Sequence, residues 1–335
     1  MRILYIPQTA KITEKNLINH IKCFLYDIYI ILRNFSINRK VTNSTCGYID
    51  SAIHSNAYVL ELPYNYCLIF SRILNFLFDG IFINWKFTNY RKDREEVEFK
   101  LHKLSKKFNI KKVIIDGTDR SINKIKDEIL DSYDFVIKRE KNKSISSKKF
   151  FTTILPCKLV NYKISKNKEN IDWSKIGNSK PNNNPRFDIF FSGRQNSKSR
   201  KELIEFLKSK NYNFFGGVEN LKIPFDDYIA TIYNSSINLA LEGKGEFTFR
   251  HLEILASCSF MICENSINEL DLPIPLLDGK HFVSFKNKND LEEKINFYLK
   301  NRKLRNDIAL NGRRILEEHY SPKKHGKFLF SKIFS

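Results

Sequence analysis

Two glycine-containing loops in the second half of the chain carry cations in a setting suited to phosphate. The first, Ser192 to Arg200 (SGRQNSKSR), follows an apolar run and precedes an amphipathic one, so we expect it to join a strand to the start of a helix. Gly193 permits a tight turn, the helix amino terminus offers unpaired N–H groups, and Arg194 and Lys198 add positive charge. The pattern favours phosphate binding, although solvated cations on an ordinary strand-to-helix turn would produce it too.

The second loop has the sequence LEGKGEFTFRHLE. Gly243 and Gly245 let the backbone approach a ligand closely, and the helix predicted to begin near Phe247 directs its positive end at the same place. Glu253, one to two turns into that helix, can accept hydrogen bonds from both hydroxyls of a ribose, and Arg250 lies on nearly the same face. The alternative is a surface salt bridge between Arg250 and Glu253, worth roughly a few tenths of a kcal/mol.

Short apolar runs alternate with amphipathic stretches along the whole chain, which is typical of successive β-α units and a mainly parallel sheet. Ligands of such sheets bind at the carboxyl ends of the strands, where the two loops above are predicted to lie. The predicted strands are 2–6, 57–62, 81–84, 112–116 and 134–137 in a first series, and 187–191, 212–215, 237–241, 260–263 and 281–285 in a second.

A charged, turn-rich stretch between the two series predicts a domain boundary. Residues 138–168 contain ten Lys or Arg against one Glu, and a run of turn formers occupies 178–185. Little in either segment can be buried. We therefore expect one domain over 1–180, a second over 186–320, and a terminal segment over 321–335.

The composition limits the class of protein without choosing its partner. Lys and Arg number 57 against 37 Asp and Glu, a net charge of +20 over 335 residues, which favours phosphates, nucleic acid or an anionic membrane surface. The six cysteines form no C-x-x-C pair, so we expect reduced thiols and no structural zinc. The amino terminus lacks a secretory signal, and the most apolar stretch, 67–85, is interrupted by Arg72, so we predict a cytoplasmic protein without a transmembrane span.

From about Asp188 to Lys324 the chain resembles the donor-binding domain of GT-B glycosyltransferases, especially the family-1-like group that includes the CgeB-type spore proteins. FSGR is similar to the opening loop of that domain, YIATIYNSSINLALEG to its helix, strand and glycine turn, and FRHLEILASCSFMI to its Arg-containing glycine-loop helix and next strand. VIIDGTDRS and YDFVIKRE in the first half are similar to segments of the same group.

The resemblance implies an α/β GT-B fold, in which two Rossmann-like domains with parallel sheets face a cleft. It assigns the acceptor to 1–180, the nucleotide-sugar donor to 186–320, and a helix that crosses back to the first domain to 321–335. Many retaining members carry two glutamates eight positions apart, but here Gly245 stands eight residues before Glu253. The donor-binding residues that it implies are Gly193, Arg194, Lys198, Gly243, Lys244, Gly245, Glu246, Phe247, Arg250 and Glu253.

If the reaction inverts the sugar carbon, a general base should come from the first domain. Asp116, Asp119 and His54 are the candidates for this catalytic role. The alternative for the aspartates is a turn with a helix cap, and for His54 a hydrogen-bonded structural histidine.

The sequence thus predicts a metal-independent hexosyltransferase-like enzyme that needs no cofactor and moves a sugar from a nucleotide-sugar to a glycan, lipid-linked or protein acceptor. For an enzyme acting on a lipid-linked or envelope glycan, the surplus charge of residues 138–168 would draw the protein to an anionic membrane, in peripheral contact with the inner surface of the cell membrane. A sugar-nucleotide epimerase of the same fold and a basic nucleic-acid-binding protein are the alternatives, although no nucleic-acid-binding motif is present. The sugar, the nucleotide, the acceptor and the stereochemistry are left open.

Overall fold

The computed structural model describes residues 1–7, 17–34, 39–40, 47–85, 94–118, 121, 125–160, 163–164, 171–218 and 223–335. The first half has these elements: β1 (Arg2–Ile6), α1 (Leu17–Arg33), β2 (Arg39–Lys40), α2 (Gly47–His54), β3 (Tyr58–Glu61), α3 (Tyr64–Ile69), α4 (Ser71–Leu77), β4 (Gly80–Asn84), α5 (Arg94–Ser105), β5 (Lys111–Asp116), α6 (Asp127–Asp131), β6 (Phe135–Arg139), β7 (Lys141–Asn142), β8 (Phe150–Thr153) and β9 (Lys163–Ile164).

The second half begins with a 3₁₀ turn at Trp173–Lys175 and has a second such turn at Asn265–Glu269. Its other elements are β10 (Phe187–Ser192), α7 (Lys198–Lys208), β11 (Phe214–Gly217), α8 (Phe225–Tyr233), β12 (Ser235–Ala240), α9 (Phe249–Ala256), β13 (Met261–Glu264), β14 (Leu270–Asp271), β15 (Val283–Phe285), α10 (Lys288–Lys300), α11 (Arg302–His319) and α12 (Pro322–Ile333).

The first half forms a six-stranded sheet in the order β3-β1-β4-β5-β6-β8. All its neighbouring strands are parallel. Ile3 and Tyr5 pack into a core on one face of the sheet, and Leu4 and Ile6 pack into a core on the other. The apolar runs of the sequence are therefore strands buried on both faces, as parallel sheets require.

The second half forms a five-stranded sheet in the order β11-β10-β12-β13-β15, and it too is entirely parallel. Phe190 faces one core, whereas Ile189 and Phe191 face the other. Two parallel sheets in one chain confirm the predicted α/β class. The strand order reverses between β10 and β12, so the carboxyl ends of these two strands flank a crevice.

Helix α12 lies against the first sheet although it follows the second along the chain. Its Gly326 packs so closely on α2 that a Cβ there would stand 2.2 Å from the carbonyl oxygen of Ala52. Farther along the helix, Phe330 stacks on Phe82 of β4 with the ring centroids 5.8 Å apart. The terminal segment thus ties the two halves together.

The charged stretch at 138–168 was expected to be a boundary, but it contains much of one edge of the first sheet. β8 pairs with β6 there, in the register Val136 with Phe150 and Arg139 with Thr153. Lys138 and Arg139 are buried. The sequence pattern did not reveal this strand because Lys148 and Lys149 precede it and Lys158 follows the apolar run that contains it, so the stretch as a whole looked charged.

Candidate functional site

A cavity of about 380 Å³ opens at the carboxyl ends of β10 and β12. Both loops identified in the sequence contribute to its wall. The residues that line it are Lys158, Ser192, Gly193, Arg194, Asn196, Arg200, Ile223, Phe225, Tyr228, Gly243, Thr248, Phe249, Arg250 and Glu253. The predicted Gly193, Arg194, Gly243, Arg250 and Glu253 therefore share one hollow.

The first loop turns at Gly193, where the surrounding atoms leave no room for a side chain. A Cβ at this position would lie 3.0 Å from Nη2 of Arg250 and 3.0 Å from Cζ of Phe191. Helix α7 follows, and the Ser197 hydroxyl accepts a hydrogen bond from the backbone N–H of Arg200 at 3.1 Å. Other N–H groups in the first turn of α7 have no partner within the helix, as at any helix amino terminus, and can meet an anion.

Arg200, which sequence reasoning missed, joins the two loops. Its Nη1 donates to the carbonyl oxygen of Arg194 at 2.8 Å, and its Nη2 donates to that of Leu241 at 3.0 Å. Burial, with the nearby Arg250, lowers the pKa of Arg200 to about 10, so the guanidinium is still charged at neutral pH. Sequence pattern could not identify it, because cations at 198, 200 and 201 look equivalent in an amphipathic helix.

Arg250 reaches from α9 to the first loop. Its Nη2 donates to the carbonyl oxygen of Ser192. Its guanidinium carbon lies 4.5 Å from the ring centroid of Phe191, and that of Arg200 lies 5.4 Å from the same centroid. One buried aromatic ring thus packs with both guanidinium groups, which places two fixed positive charges at the base of the cavity.

Helix α9 begins with a capping box. The N–H of Thr248 donates to Nδ1 of His251 at 3.0 Å. Burial lowers the pKa of His251 to about 3, which keeps the imidazole neutral and able to accept this bond. The cap fixes the start of α9, whose positive end faces the cavity.

Glu253 is only 3% exposed, yet it lines the cavity. The Tyr228 hydroxyl donates to its Oε2 at 3.0 Å. The Lys158 ammonium, contributed by the chain that follows the first sheet, lies 3.7 Å from Oε1 and 4.7 Å from the ring centroid of Phe249. The 3.7 Å between the ammonium and Oε1 is too long for a hydrogen bond, and Oε1 accepts no hydrogen bond from any described residue. Glu253 pairs with Lys158, and the surface pair with Arg250 considered above does not form.

The other predicted residues of the second loop face away from the cavity. The Glu246 carboxylate accepts from the hydroxyl of Ser121 at 2.9 Å and from its N–H at 3.2 Å. The Phe247 N–H donates to Oε2 of Glu140 at 3.1 Å. Gly245 is buried, and its carbonyl oxygen accepts from the N–H of Gly243 at 2.9 Å. These contacts hold the loop against the first half of the chain.

Glu140 is itself unusual, because it is buried and has a left-handed φ of 57°. Burial, together with a smaller contribution from the nearby Glu246, raises its pKa to about 7 against the opposing effect of Arg139. The carboxyl group therefore sits between the two halves with its charge balanced by Arg139.

The lysines predicted for phosphate lie in solvent. Lys198 is 92% exposed and lies 3.6 Å from the carboxylate of Glu202. Lys244 is exposed on the second loop. Neither side chain lines the cavity.

The structure does not bring the candidate bases to this cavity. The Asp116 carboxylate lies 2.8 Å from the buried ammonium of Lys138 and also accepts from the N–H of Thr118. Nε2 of His54 lies 2.9 Å from Oε1 of Glu61. Asp119 lies outside the described residues. The structure thus gives Asp116 a stabilising partner and holds His54 against a carboxylate.

Solved structures share this architecture. A glycosyltransferase from Rickettsia africae ESF-5 aligns with a TM-score of 0.54 and 12% identity, covering 100% of this chain and 98% of that one. Alr3699/HepE of Anabaena in complex with UDP aligns with a TM-score of 0.51 and 9% identity, covering 100% of both chains. The fold is therefore GT-B.

Residues 194–329 match the family model described as Glycosyl transferase-like. This part of the chain is therefore similar to glycosyltransferases, and the chain as a whole has the GT-B fold. No curated protein matches its sequence, and the CgeB-type subgroup stays a prediction. The matched residues include Arg194, Arg200, Arg250 and Glu253, which line the cavity, whereas Lys158, Ser192 and Gly193 of the same cavity lie outside the match. In the described part of the chain, no helix is long and apolar enough to cross a membrane.

Proposed function

We propose that the protein transfers a sugar from a nucleotide-sugar donor, held in the cavity of the second sheet, to a glycan, lipid-linked or protein acceptor. The observation that carries this proposal is the carboxylate of Glu253. Within the described residues, one of its oxygens is buried without a hydrogen-bond donor, and the nearest cation, Lys158, lies 3.7 Å away, beside a cavity lined by Arg200 and Arg250. A buried acceptor of this kind is costly unless a ligand satisfies it.

Ribose hydroxyls are suitable donors for Glu253, and the diphosphate then extends toward the first loop. Arg194, Arg200 and Arg250 line that side of the cavity, and the amino termini of α7 and α9 add the N–H groups and positive potential of a phosphate site. A solved structure of the same fold holds UDP. We infer that the second sheet binds a nucleoside diphosphate as the departing group.

The transfer requires stabilisation of the negative charge that develops on the diphosphate as the sugar leaves. Fixed guanidinium groups and oriented N–H groups supply such stabilisation in a site that excludes water. Since Arg200 and Arg250 are each held by a carbonyl oxygen, they need little reorganisation. We propose a metal-independent reaction on this basis.

An inverting reaction would also need a base from the first sheet. The carboxylate of Asp116 lies 2.8 Å from the buried ammonium of Lys138, so it already has a partner within the first sheet. His54 has a carboxylate, Glu61, that orients its imidazole, an arrangement suited to general-base catalysis. We therefore propose His54 ahead of Asp116 as the base, with the stereochemical outcome left open.

Titration calorimetry with UDP, GDP, ADP and CDP tests the donor site. We expect Glu253→Gln to weaken the best-bound nucleotide roughly tenfold, because the amide keeps the shape of the side chain but removes the charge that strengthens bonds to ribose. Glu202→Gln is the matched control, since Glu202 is an exposed glutamate on α7. Unchanged affinity of Glu253→Gln for every nucleotide would refute the assignment.

Product analysis separates transfer from epimerisation. With a labelled nucleotide-sugar and no acceptor, an epimerase converts the donor to its epimer, whereas a transferase leaves the sugar configuration unchanged. Appearance of an epimeric nucleotide-sugar would replace the proposed reaction while keeping the proposed donor site.

A further inference from the structure

An apolar surface lies on the outer side of α3 and α4. We call it the α4 face and define it by Ile69, Phe70, Ile73, Phe76 and Leu77, whose exposed fractions are 72%, 47%, 59%, 85% and 40%. The spacing of these residues places them along one side of the helical segment. Such a stripe is unusual for a solvated surface.

The same segment has a separate stripe that packs on the sheet. Cys67, Ser71, Leu74 and Phe78 are buried, and they recur at the helical spacing of three or four residues. The α4 face is therefore not the core-facing side of an amphipathic helix. A helix that is apolar on both sides is expected where its outer side is also covered by something apolar, in addition to the protein core on its inner side.

Exposed apolar side chains are concentrated in this half of the chain. Of the 19 large apolar side chains that are exposed in the described residues, ten lie on α1 or between 69 and 77. On α1, Cys23 and Ile30 are buried. The exposed members of α1 are Ile21, Phe24, Leu25, Tyr29 and Leu32.

Cations border the α4 face. Arg72 is exposed within it. The amide of Asn75 donates to the carbonyl oxygen of Lys107 at 2.7 Å and its oxygen accepts from the N–H of Asn109 at 2.8 Å, which places the end of α5 beside α4. Lys106 and Lys107 are exposed there. The α5 carboxylates Glu96 and Glu98 are paired with lysines.

We propose that the α4 face and the lysines that follow α5 bind the protein to an anionic lipid bilayer. Apolar side chains beside lysines and arginines are the chemistry of an interfacial membrane-binding surface, in which the former enter the acyl boundary and the latter contact anionic headgroups. A second copy is a poorer occupant, because it would bring like charges together on a chain of net charge +20.

This surface differs from the one that the sequence suggested. The lysine-rich stretch at 138–168 was expected to attract the bilayer, but Lys138 is buried against Asp116 and Arg139 is paired with Glu140. Part of the positive charge of this stretch is therefore paired with carboxylates in the interior of the protein and is not available to a bilayer. Vesicle binding through the α4 face requires no nucleotide, so it can fail or succeed independently of the donor site.

Flotation with vesicles tests the proposal. We expect the full chain to bind vesicles of phosphatidylcholine with phosphatidylglycerol, and to bind vesicles of phosphatidylcholine alone much more weakly. Ile73→Ser with Phe76→Ser should weaken binding by roughly tenfold or more, because two apolar side chains no longer enter the bilayer. Lys106→Glu with Lys107→Glu should also weaken it, and added salt should reduce binding of the parent.

Phe297→Ser with Leu304→Ser is the matched control, since these two exposed apolar side chains lie on α10 and α11 of the second half. It should bind like the parent. Thermal melting checks that each variant is folded. The proposal is overturned if the parent does not bind anionic vesicles, if Ile73→Ser with Phe76→Ser binds as well as the control, or if that pair instead abolishes a dimer seen by light scattering in a parent that ignores vesicles.

Discussion

The carboxyl edges of the two sheets carry similar residue types but use them differently. Along the edge of the first sheet, polar and charged groups pair with each other: His54 with Glu61, and Asp116 with Lys138. Along the edge of the second, Arg250 and Glu253 form no ion pair with each other within the described residues, and both line an open cavity. The second edge is arranged to meet a charged ligand, whereas the first is already balanced.

This difference fits a division of labour in the proposed reaction. A nucleoside diphosphate brings negative charge and needs fixed cations, which the second sheet supplies at the point where its strand order reverses. A sugar acceptor is largely uncharged, and a balanced polar edge can hydrogen-bond to it without competing for the diphosphate. Contacts from Glu140 and Ser121 to the second loop then couple the two edges.

The largest expected effect comes from disturbing the balanced edge. Lys138→Met removes the partner of Asp116 and leaves a carboxylate buried at 1% exposure, so we expect the free energy of unfolding to fall by about 3–5 kcal/mol. Urea denaturation followed by circular dichroism measures it.

Asp116→Asn combined with Lys138→Met is the matched variant, because it keeps the acceptor for the Thr118 N–H and leaves no lone charge. It should recover most of the lost stability. A loss of less than about 1 kcal/mol in Lys138→Met would mean that water screens the pair, and the contrast between the two edges would disappear.

The next effect concerns the link between the two loops of the cavity. Arg200→Met deletes the donors to the carbonyl oxygens of Arg194 and Leu241 and one fixed cation. We expect nucleoside diphosphate to bind roughly 30- to 100-fold more weakly, since each charge-assisted bond contributes about 1.5–3 kcal/mol. Calorimetry measures the affinity.

Lys201→Met controls for the loss of a cation from α7, because Lys201 is half-exposed and near Glu205. We expect it to bind nucleotide like the parent. Equal affinities for Arg200→Met and Lys201→Met would show that general positive potential, and not the built link between the loops, is what attracts the diphosphate.

Much of this organisation could be predicted from the sequence where the signal is local. A strand, a glycine and a helix start occur within a few residues at Gly193 and at Gly243, and the rule that parallel strands end at one edge brings the two loops together. The five predicted residues that line the cavity all come from these two segments. The fold class follows from the same alternation of strands and helices.

Residues that depend on contacts between distant segments could not be predicted. Lys158 stands 95 positions before Glu253 in sequence, and nothing in its neighbourhood marks it among ten cations. The partner of Asp116 is Lys138, which lies 22 residues away in the next strand. The sequence therefore suggested an unpaired, available carboxylate at Asp116 where the structure has an ion pair. Pairing of this kind is decided by strand register, which the sequence pattern specifies only within a residue or two.

The smallest expected effect tests whether the first half contributes to the donor site at all. Lys158 is 43% exposed, so its attraction to Glu253 is screened by solvent, and Lys158→Met should weaken nucleoside diphosphate binding only about two- to fivefold. Lys148→Met, an exposed lysine ten residues earlier, controls for net charge. Because Lys158 also packs over Phe249, the methionine keeps the apolar stem and isolates the ammonium. If both variants bind nucleotide equally well, the donor site belongs to the second sheet alone, and closure of the two halves around the donor would have to depend on the loop contacts of Glu140 and Ser121.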